Sequence, residues 1–152
     1  MSDIIFRAFD VGDPPRILQW YQKDRTGMES IMGQEIPDEL GCTLLINSLL
    51  QAASQGMALF YLIDVDSETI GFAGVTHVTP SKDFGQPHIY IEPTSRRFSV
   101  RAAQAAESYA SQIGIKNFMT SIETRNKRGL ALMKHLGYSE IPRKSFLKEL
   151  SV

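Results

Sequence analysis

One stretch of the chain, residues 86–106, constrains the fold more than any other, because a strand, a turn and a helix follow one another there without a break. Its sequence is QPHIYIEPTSRRFSVRAAQAA. We predict a strand over residues 88–92 and a turn at Pro93. A helix is predicted from about Ser95 to Ile113, with Gly114 at its end. The chain therefore contains a strand that opens directly into a helix.

The turn between this strand and this helix is basic. The first amides of a helix have no acceptor within the helix, and the helix dipole places partial positive charge on them. The sequence adds full charges at the same place, on Arg96, Arg97 and Arg101. Guanidinium groups match phosphate oxygens well. The stretch therefore predicts a site for a phosphate-bearing ligand. The alternative is that the arginines form a solvated helix start and pair with acidic residues.

Size and composition predict a single domain over residues 1–152 that lies in the cytoplasm. Apolar residues make up 43% and charged residues 22%, and the formal net charge is −1, so we expect neither nucleic acid nor membrane as a partner. No apolar run approaches the roughly 20 residues of a membrane-spanning helix, and the N-terminus does not resemble a signal peptide. The lone Cys42 excludes an internal disulfide, fits a reducing compartment and is expected to be buried.

Periodicity and turn residues predict ten elements in the order β-α-α-β-β-β-α-β-α-β. The other strands are predicted at residues 4–9, 57–65, 69–79, 117–123 and 146–150, and the other helices at 13–23, 38–56 and 129–136. Asp13 and Asp38 are the expected caps of the first two helices. Residues 24–37 are interpreted as a loop, with at most a helical turn at 28–32, that either lines an acceptor pocket or wraps the surface. This order favours an α/β (α+β) fold with a mixed, mostly antiparallel sheet and helices on both faces.

Two motifs in this arrangement resemble those of the GNAT superfamily of acyl-CoA N-acyltransferases. Residues 91–101, IEPTSRRFSVR, are similar to the family's coenzyme A pyrophosphate loop, which usually has the pattern V-x-P-x-x-[RQ]-x-x-G-x-[GA]. Residues 126–138, NKRGLALMKHLGY, are similar to its closing motif, N-x-x-A-x-x-L-Y-x-x-x-G-F. The predicted order of elements also matches the GNAT fold across essentially the whole chain.

The resemblance implies transfer of an acyl group, expected to be acetyl, from coenzyme A to a primary amine of a small molecule or a protein, with no metal. It implies a splay between the strand at residues 88–92 and an antiparallel neighbour at 117–123, where the pantetheine arm pairs with strand backbone. The cofactor-binding residues it implies are Ile89, Ile91, Arg96, Arg97, Phe98, Ser99, Val100, Arg101 and Asn126. The alternative for Asn126 is a helix N-cap. A homodimer is left open.

The chain departs from the family pattern at three positions. Ser99 and Arg101 stand where the family has small residues that let the backbone approach the pyrophosphate, and Arg101 either grips a phosphate or fills the space. Met133 stands where the family has a tyrosine that protonates the leaving thiolate, which slows the reaction without forbidding it. The rival interpretation is a catalytically inactive GNAT-fold binding protein, for example of phage origin. A third is an unrelated α/β domain that binds another phosphate ligand.

Amine acylation needs a base that removes a proton from the acceptor ammonium. His88 and Glu92 lie on the same face of the predicted strand by period-two alternation. His88 is the first choice because its unperturbed pKa lies close to working pH. Glu92 is the second, since a buried carboxylate with a raised pKa would also serve. The alternative for His88 is a hydrogen-bonded strand histidine with no catalytic role.

Overall fold

The computed structural model describes residues 2–32, 38–122, 124–142 and 144–150. The chain divides into two compact units, Met1–Ser121 and Ile122–Val152. The first unit contains the sheet and the helices that cover it. Part of the predicted loop, residues 33–37, lies outside the described residues.

Four antiparallel strands form the sheet, in the spatial order β1-β2-β3-β4. They are β1 (Ile5–Arg7), β2 (Leu59–Val65), β3 (Glu68–Thr76) and β4 (Gln86–Ile91). The predicted hairpin is confirmed, because β2 and β3 are joined by Asp66 and Ser67 at φ 50° and 67°. Both residues therefore have the left-handed backbone of a two-residue hairpin turn, whose twist matches the twist of the flanking strands.

Helices cover both faces of the sheet, as the sequence predicts. Helices α1 (Asp13–Lys23), α2 (Arg25–Met32) and α3 (Glu39–Ser54) share one buried core with β2, β3 and β4. A 3₁₀ turn (Pro93–Phe98) leads into α4 (Ser99–Gln112), which packs on the other face. The second unit contains α5 (Lys127–His135). The α+β class is confirmed, and none of these helices is long and apolar enough to cross a membrane.

Three predicted segments differ from the structure. Residues 25–32, expected as loop, form α2, because Met28 is fully buried against the sheet and its packing outweighs the cost of Gly27 in a short helix. Of the strand predicted at 117–123, the structure describes residues 117–122, and among these only Phe118 is paired, through one parallel bridge to Gly85. Residues 144–150 contain no strand, and Phe146 there is 92% exposed. Strand propensity without a pairing partner was therefore misleading in the last two segments.

A buried ionic cluster ties β1 to α1. The predicted cap Asp13 is instead the first residue of α1, its side chain is fully buried, and Gly12 is the N-cap. The Asp13 carboxylate accepts hydrogen bonds from Arg7 Nη2 at 2.9 Å, Arg16 Nη1 at 2.7 Å and the Asp10 amide at 2.7 Å. Burial raises its pKa, but the hydrogen bond from Arg7 and these neighbours outweigh burial, so the pKa lies below its usual value.

Candidate functional site

The outer edge of β4 carries free backbone groups. The amide of Glu92 donates to the Ile70 carbonyl of β3 at 2.8 Å. Alternation along the strand then turns the amides of Tyr90 and His88 towards β3 and those of Ile91 and Ile89 away from it. Neither outward N–H has a hydrogen-bond partner among the described residues. These are the two strand positions at which the resemblance implies a cofactor.

A neighbouring segment pairs with Gly85, the residue directly before β4. The Gly85 amide donates to the Asn117 carbonyl at 3.0 Å, and the Met119 amide donates to the Gly85 carbonyl at 2.9 Å. Residues 120 and 121 make no ladder pair with β4. The bridge between Gly85 and Phe118 is parallel, so the expected antiparallel direction was wrong, and the separation of the two segments stays a prediction. A crossover through α4 returns the chain in the same direction, which requires parallel pairing.

The turn after β4 satisfies its own first amides. The Glu92 carboxylate accepts hydrogen bonds from the Thr94 amide at 3.2 Å and the Ser95 hydroxyl at 2.5 Å, and also from the Thr94 hydroxyl. The Ser95 amide donates to the Glu92 carbonyl at 3.0 Å. The amides directly after Pro93 therefore do not form an open cradle, and a ligand at this turn must rely on other groups.

Glu92 is thus the cap of the 3₁₀ turn. Burial raises the pKa of its carboxyl group, but the hydrogen bonds from Ser95 and Thr94 outweigh burial, and the pKa lies below its usual value. The raised pKa expected for a Glu92 base is therefore wrong. The side chain is placed to hold the turn at the end of β4.

The arginines of the turn point to different partners. Arg96 Nη2 lies 2.9 Å from Asp24 Oδ2, at the corner between α1 and α2. Arg97 is exposed, donates to the Thr94 carbonyl at 3.2 Å and lies 4.6 Å from the centre of the Phe98 ring. Among the described residues, Arg96 is the one arginine of this turn that pairs with an acid. The interpretation of a helix start paired with acids therefore holds for Arg96 alone.

Arg101 is directed towards the N-terminal segment. Its guanidinium donates to the Ser2 carbonyl and lies 5.9 Å from the centre of the Phe98 ring. The Ser2 hydroxyl in turn donates to Asp66 in the β2–β3 turn at 2.7 Å. Because that turn joins β2 and β3, which lie inward of β4 in the sheet, the contact directs Arg101 away from the free edge of β4.

Replacing Arg101 by alanine is expected to lower the free energy of unfolding by about 1–2 kcal/mol, because the charged hydrogen bond between α4 and Ser2 is lost. Arg97→Ala is the matched control. It removes an exposed guanidinium whose contacts among the described residues are to Thr94 and Phe98 of its own turn, so its effect should stay within about 0.5 kcal/mol. Urea unfolding followed by circular dichroism measures both values. Equal losses in the two variants would contradict the contact to Ser2.

His88 has a partner on each ring nitrogen. Nδ1 lies 3.2 Å from the Ile31 carbonyl, which can only accept, so Nδ1 carries the proton. Nε2 then accepts from the Thr76 hydroxyl at 2.7 Å. Burial lowers the pKa of His88 below its usual value, against the hydrogen bond to Ile31, which raises it. His88 is therefore a neutral imidazole whose basic nitrogen faces Thr76.

The remaining predicted residues are placed as follows. Phe98, Ser99 and Val100 are half-buried where the 3₁₀ turn meets α4. Asn126, in the second unit, caps α5, because its Oδ1 accepts from the Gly129 amide at 2.9 Å. Met133 is half-buried in α5.

The sequence reasoning missed Asp24 and Thr76, which contact the predicted residues Arg96 and His88. Asp24 carries no signal, because it lies where the periodicity of α1 fades. Thr76 was hidden within a predicted strand. The contact between Thr76 and His88 follows from the pairing of β3 with β4, which the sequence pattern does not specify. No group of metal-binding side chains occurs among residues that the structure describes.

A family model for the acetyltransferase (GNAT) domain matches residues 3–139. The match covers most of the chain and includes both predicted motifs. The chain therefore belongs to the GNAT acetyltransferase family. A search of curated protein sequences finds no significant match.

Solved structures of acetyltransferases share this fold. An enzyme from Salmonella typhimurium that modifies the N-terminal serine of ribosomal protein L7/L12 has a TM-score of 0.77 at 14% identity, over 88% of this chain and 79% of that chain. Spermidine N-acetyltransferase from Vibrio cholerae, in complex with CoA and spermine, has a TM-score of 0.76 at 15% identity, over 91% of this chain and 82% of that chain. RimJ from Mycobacterium smegmatis, in complex with CoA-disulfide, has a TM-score of 0.76 at 15% identity, over 91% of this chain and 71% of that chain. At these identities the likeness shows the GNAT fold.

Proposed function

We propose that this protein is an N-acetyltransferase that moves an acetyl group from acetyl-CoA to a primary amine. The observation that carries the proposal is the free edge of β4, where the outward amides of Ile89 and Ile91 have no hydrogen-bond partner among the described residues. Unpaired backbone groups inside a fold need partners. The amide groups of a pantetheine arm are partners of this kind.

The residues present fit coenzyme A in part. Ile89 and Ile91 would pair with the pantetheine arm, and the guanidinium groups of Arg96 and Arg97 would hold phosphate. Thr94 and Ser95 would contribute no amides, since theirs are already bonded to Glu92. Bound acetyl-CoA supplies the activated acyl group. We therefore expect phosphate recognition here to depend on arginine side chains more than on the backbone.

His88 is the base in this proposal, acting through Thr76. The Thr76 hydroxyl gives its proton to His88 Nε2 while its oxygen takes a proton from the acceptor ammonium, which leaves a neutral amine. The resulting imidazolium keeps its Nδ1 proton on the Ile31 carbonyl, 3.2 Å away. The lowered pKa keeps His88 neutral and ready to accept at neutral pH. Met133 donates no proton, so the thiolate leaves unassisted.

The acceptor is proposed only as a class, a primary amine of a small molecule or a protein. The similar structures include enzymes for both kinds, a ribosomal protein N-terminus and spermidine. For this chain, both a protein amine and a small-molecule amine are therefore candidate acceptors. To distinguish the two kinds of acceptor, the protein is incubated with acetyl-CoA and either spermidine or short peptides with free N-termini. The release of free thiol from acetyl-CoA measures the reaction with each acceptor.

Titration calorimetry with acetyl-CoA and with desulfo-coenzyme A tests the proposal. We expect dissociation constants in the micromolar range, about −8 kcal/mol. Arg96→Gln and Arg97→Gln should each weaken binding about tenfold, because a charged contact to phosphate contributes about 1.5–3 kcal/mol. Arg25→Gln is the control, since Arg25 is exposed and pairs with Glu29 on α2. An absence of heat at millimolar ligand would refute the enzyme and favour the inactive binding protein.

A further inference from the structure

Asp24 joins three elements through one carboxylate. Its Oδ2 accepts from the Tyr90 hydroxyl of β4 at 3.1 Å and from Arg96 Nη2 at 2.9 Å. Its Oδ1 accepts from the Gly27 amide in the first turn of α2 at 3.3 Å. The Asp24 side chain is 18% exposed and that of Arg96 31%. The carboxylate therefore links the corner before α2 to the strand and to the basic turn.

Helix α2 is also held at its other end and in its middle. The Ile31 carbonyl, which belongs to the last turn and has no acceptor role within the helix, receives the Nδ1 proton of His88 at 3.2 Å. Between the two ends, Met28 is fully buried in the core cluster that contains Tyr90. The helix thus crosses β4 from Tyr90 to His88, and the same contacts that place it also cover His88.

We propose that Asp24 is a positioning residue that couples the basic turn to His88, by holding α2 across β4 so that the Ile31 carbonyl fixes the histidine tautomer. This coupling needs no bound cofactor, because every contact that carries it lies within the protein. Its extension to catalysis rests on the proposed function. An anion bound at Arg96 competes with Asp24 for the same guanidinium. Cofactor binding at the turn therefore changes the position of α2 and, through it, the tautomer and pKa of His88.

Gly27 supports this placement of Asp24. A Cβ atom at Gly27 would lie 2.4 Å from Asp24 Oδ2 and 2.8 Å from its Cγ. Either distance is too short for a real contact, so the carboxylate would have to shift from the position in which it accepts from Tyr90 and Arg96. Gly27→Ala therefore displaces the carboxylate without removing its charge, and alanine favours the helix. It is an independent way to break the same link.

The coupling is tested by NMR titration of the His88 ring in protein labelled with ¹⁵N-histidine, with His77 and His135 assigned by their Asn variants. In wild type we expect the Nδ1-protonated tautomer and a pKa below 6.5. Asp24→Asn should raise this pKa and mix the tautomers, because α2 loosens and water reaches the ring. Gly27→Ala should act in the same direction. Asp38→Asn, which removes a carboxylate at the cap of α3, should leave His88 unchanged.

A second titration adds desulfo-coenzyme A. The His88 signals of wild type should shift at saturation, and the shift should fall at least about threefold in Asp24→Asn. If wild type binds no cofactor, the proposed function fails while the apo titration still decides the coupling. Unchanged His88 signals in both folded variants, Asp24→Asn and Gly27→Ala, would overturn the coupling. Circular dichroism confirms that each variant is folded.

Discussion

Replacing Gly71 by alanine is expected to lower the free energy of unfolding by at least about 3 kcal/mol, because the new methyl group has no room. A Cβ atom there would lie 1.9 Å from the Tyr90 carbonyl oxygen and 2.9 Å from its carbon. Both atoms belong to the backbone of β4, which pairs with β3 at Gly71 and Ile91. The collision can be relieved only by separating the two strands. The same separation would displace the free edge, so coenzyme A binding should be lost as well.

Urea unfolding and calorimetry with desulfo-coenzyme A measure the two losses. Gly56→Ala is the control, because Gly56 has φ +74° and no atom within 4 Å of an added Cβ. That variant carries backbone strain without a collision and should cost about 1 kcal/mol. Its cofactor affinity should equal that of wild type. A Gly71→Ala protein as stable as Gly56→Ala would show that β3 and β4 are not packed as closely as described.

Replacing Asp13 by alanine should cost about 3–5 kcal/mol, because the change leaves Arg7 and Arg16 without their shared buried partner. Arg7 keeps its contact to Asp64 at 3.1 Å, which favours the lower end of this range. The Asp10 amide also loses its acceptor. Chemical denaturation at pH 7 measures the loss. Arg25→Gln removes an exposed guanidinium that lies 3.8 Å from Glu29 on α2 and 5.0 Å from the centre of the Tyr21 ring. It should change the stability by less than about 0.5 kcal/mol.

The contribution of Asp13 should also depend on pH in a defined direction. Its folded-state pKa is lowered, so its stabilising effect is present above the unfolded value of about 3.9 and is lost as pH falls through the folded value. The stability difference between wild type and Asp13→Asn should therefore be constant near pH 7 and shrink below about pH 4. A difference that grows on acidification would contradict the charged cluster.

Local signals predicted the elements on which the candidate site is built. The strand and helix on either side of Pro93 are confirmed as β4 and α4. Asp38 caps α3 as expected, since its carboxylate accepts from the Gly41 amide at 2.7 Å. Asn126 likewise caps α5. Each of these two caps depends on residues three positions apart, so the local sequence carries the physical cause of the cap.

Features that depend on distant partners were predicted poorly. The sequence of α2 lacks a strong periodic pattern, and the helix is held by Met28, Asp24 and Ile31 through contacts to β4. The expected direction of the segment at residues 117–123 was wrong, because direction follows from the crossover through α4. Glu92 looked like a base on a strand face, but two neighbouring hydroxyl groups and an amide make it a cap.

The sequence by itself determined the family, through two motifs and the order of elements, and it located the turn that the motifs share. Only the tertiary structure decided what each side chain near that turn can do. Arg96 has Asp24 as its partner, and His88 has Thr76 and Ile31. The physical reason is that proton affinity and hydrogen bonding depend on neighbours brought together by folding, and these partners lie 12 to 72 positions away along the chain.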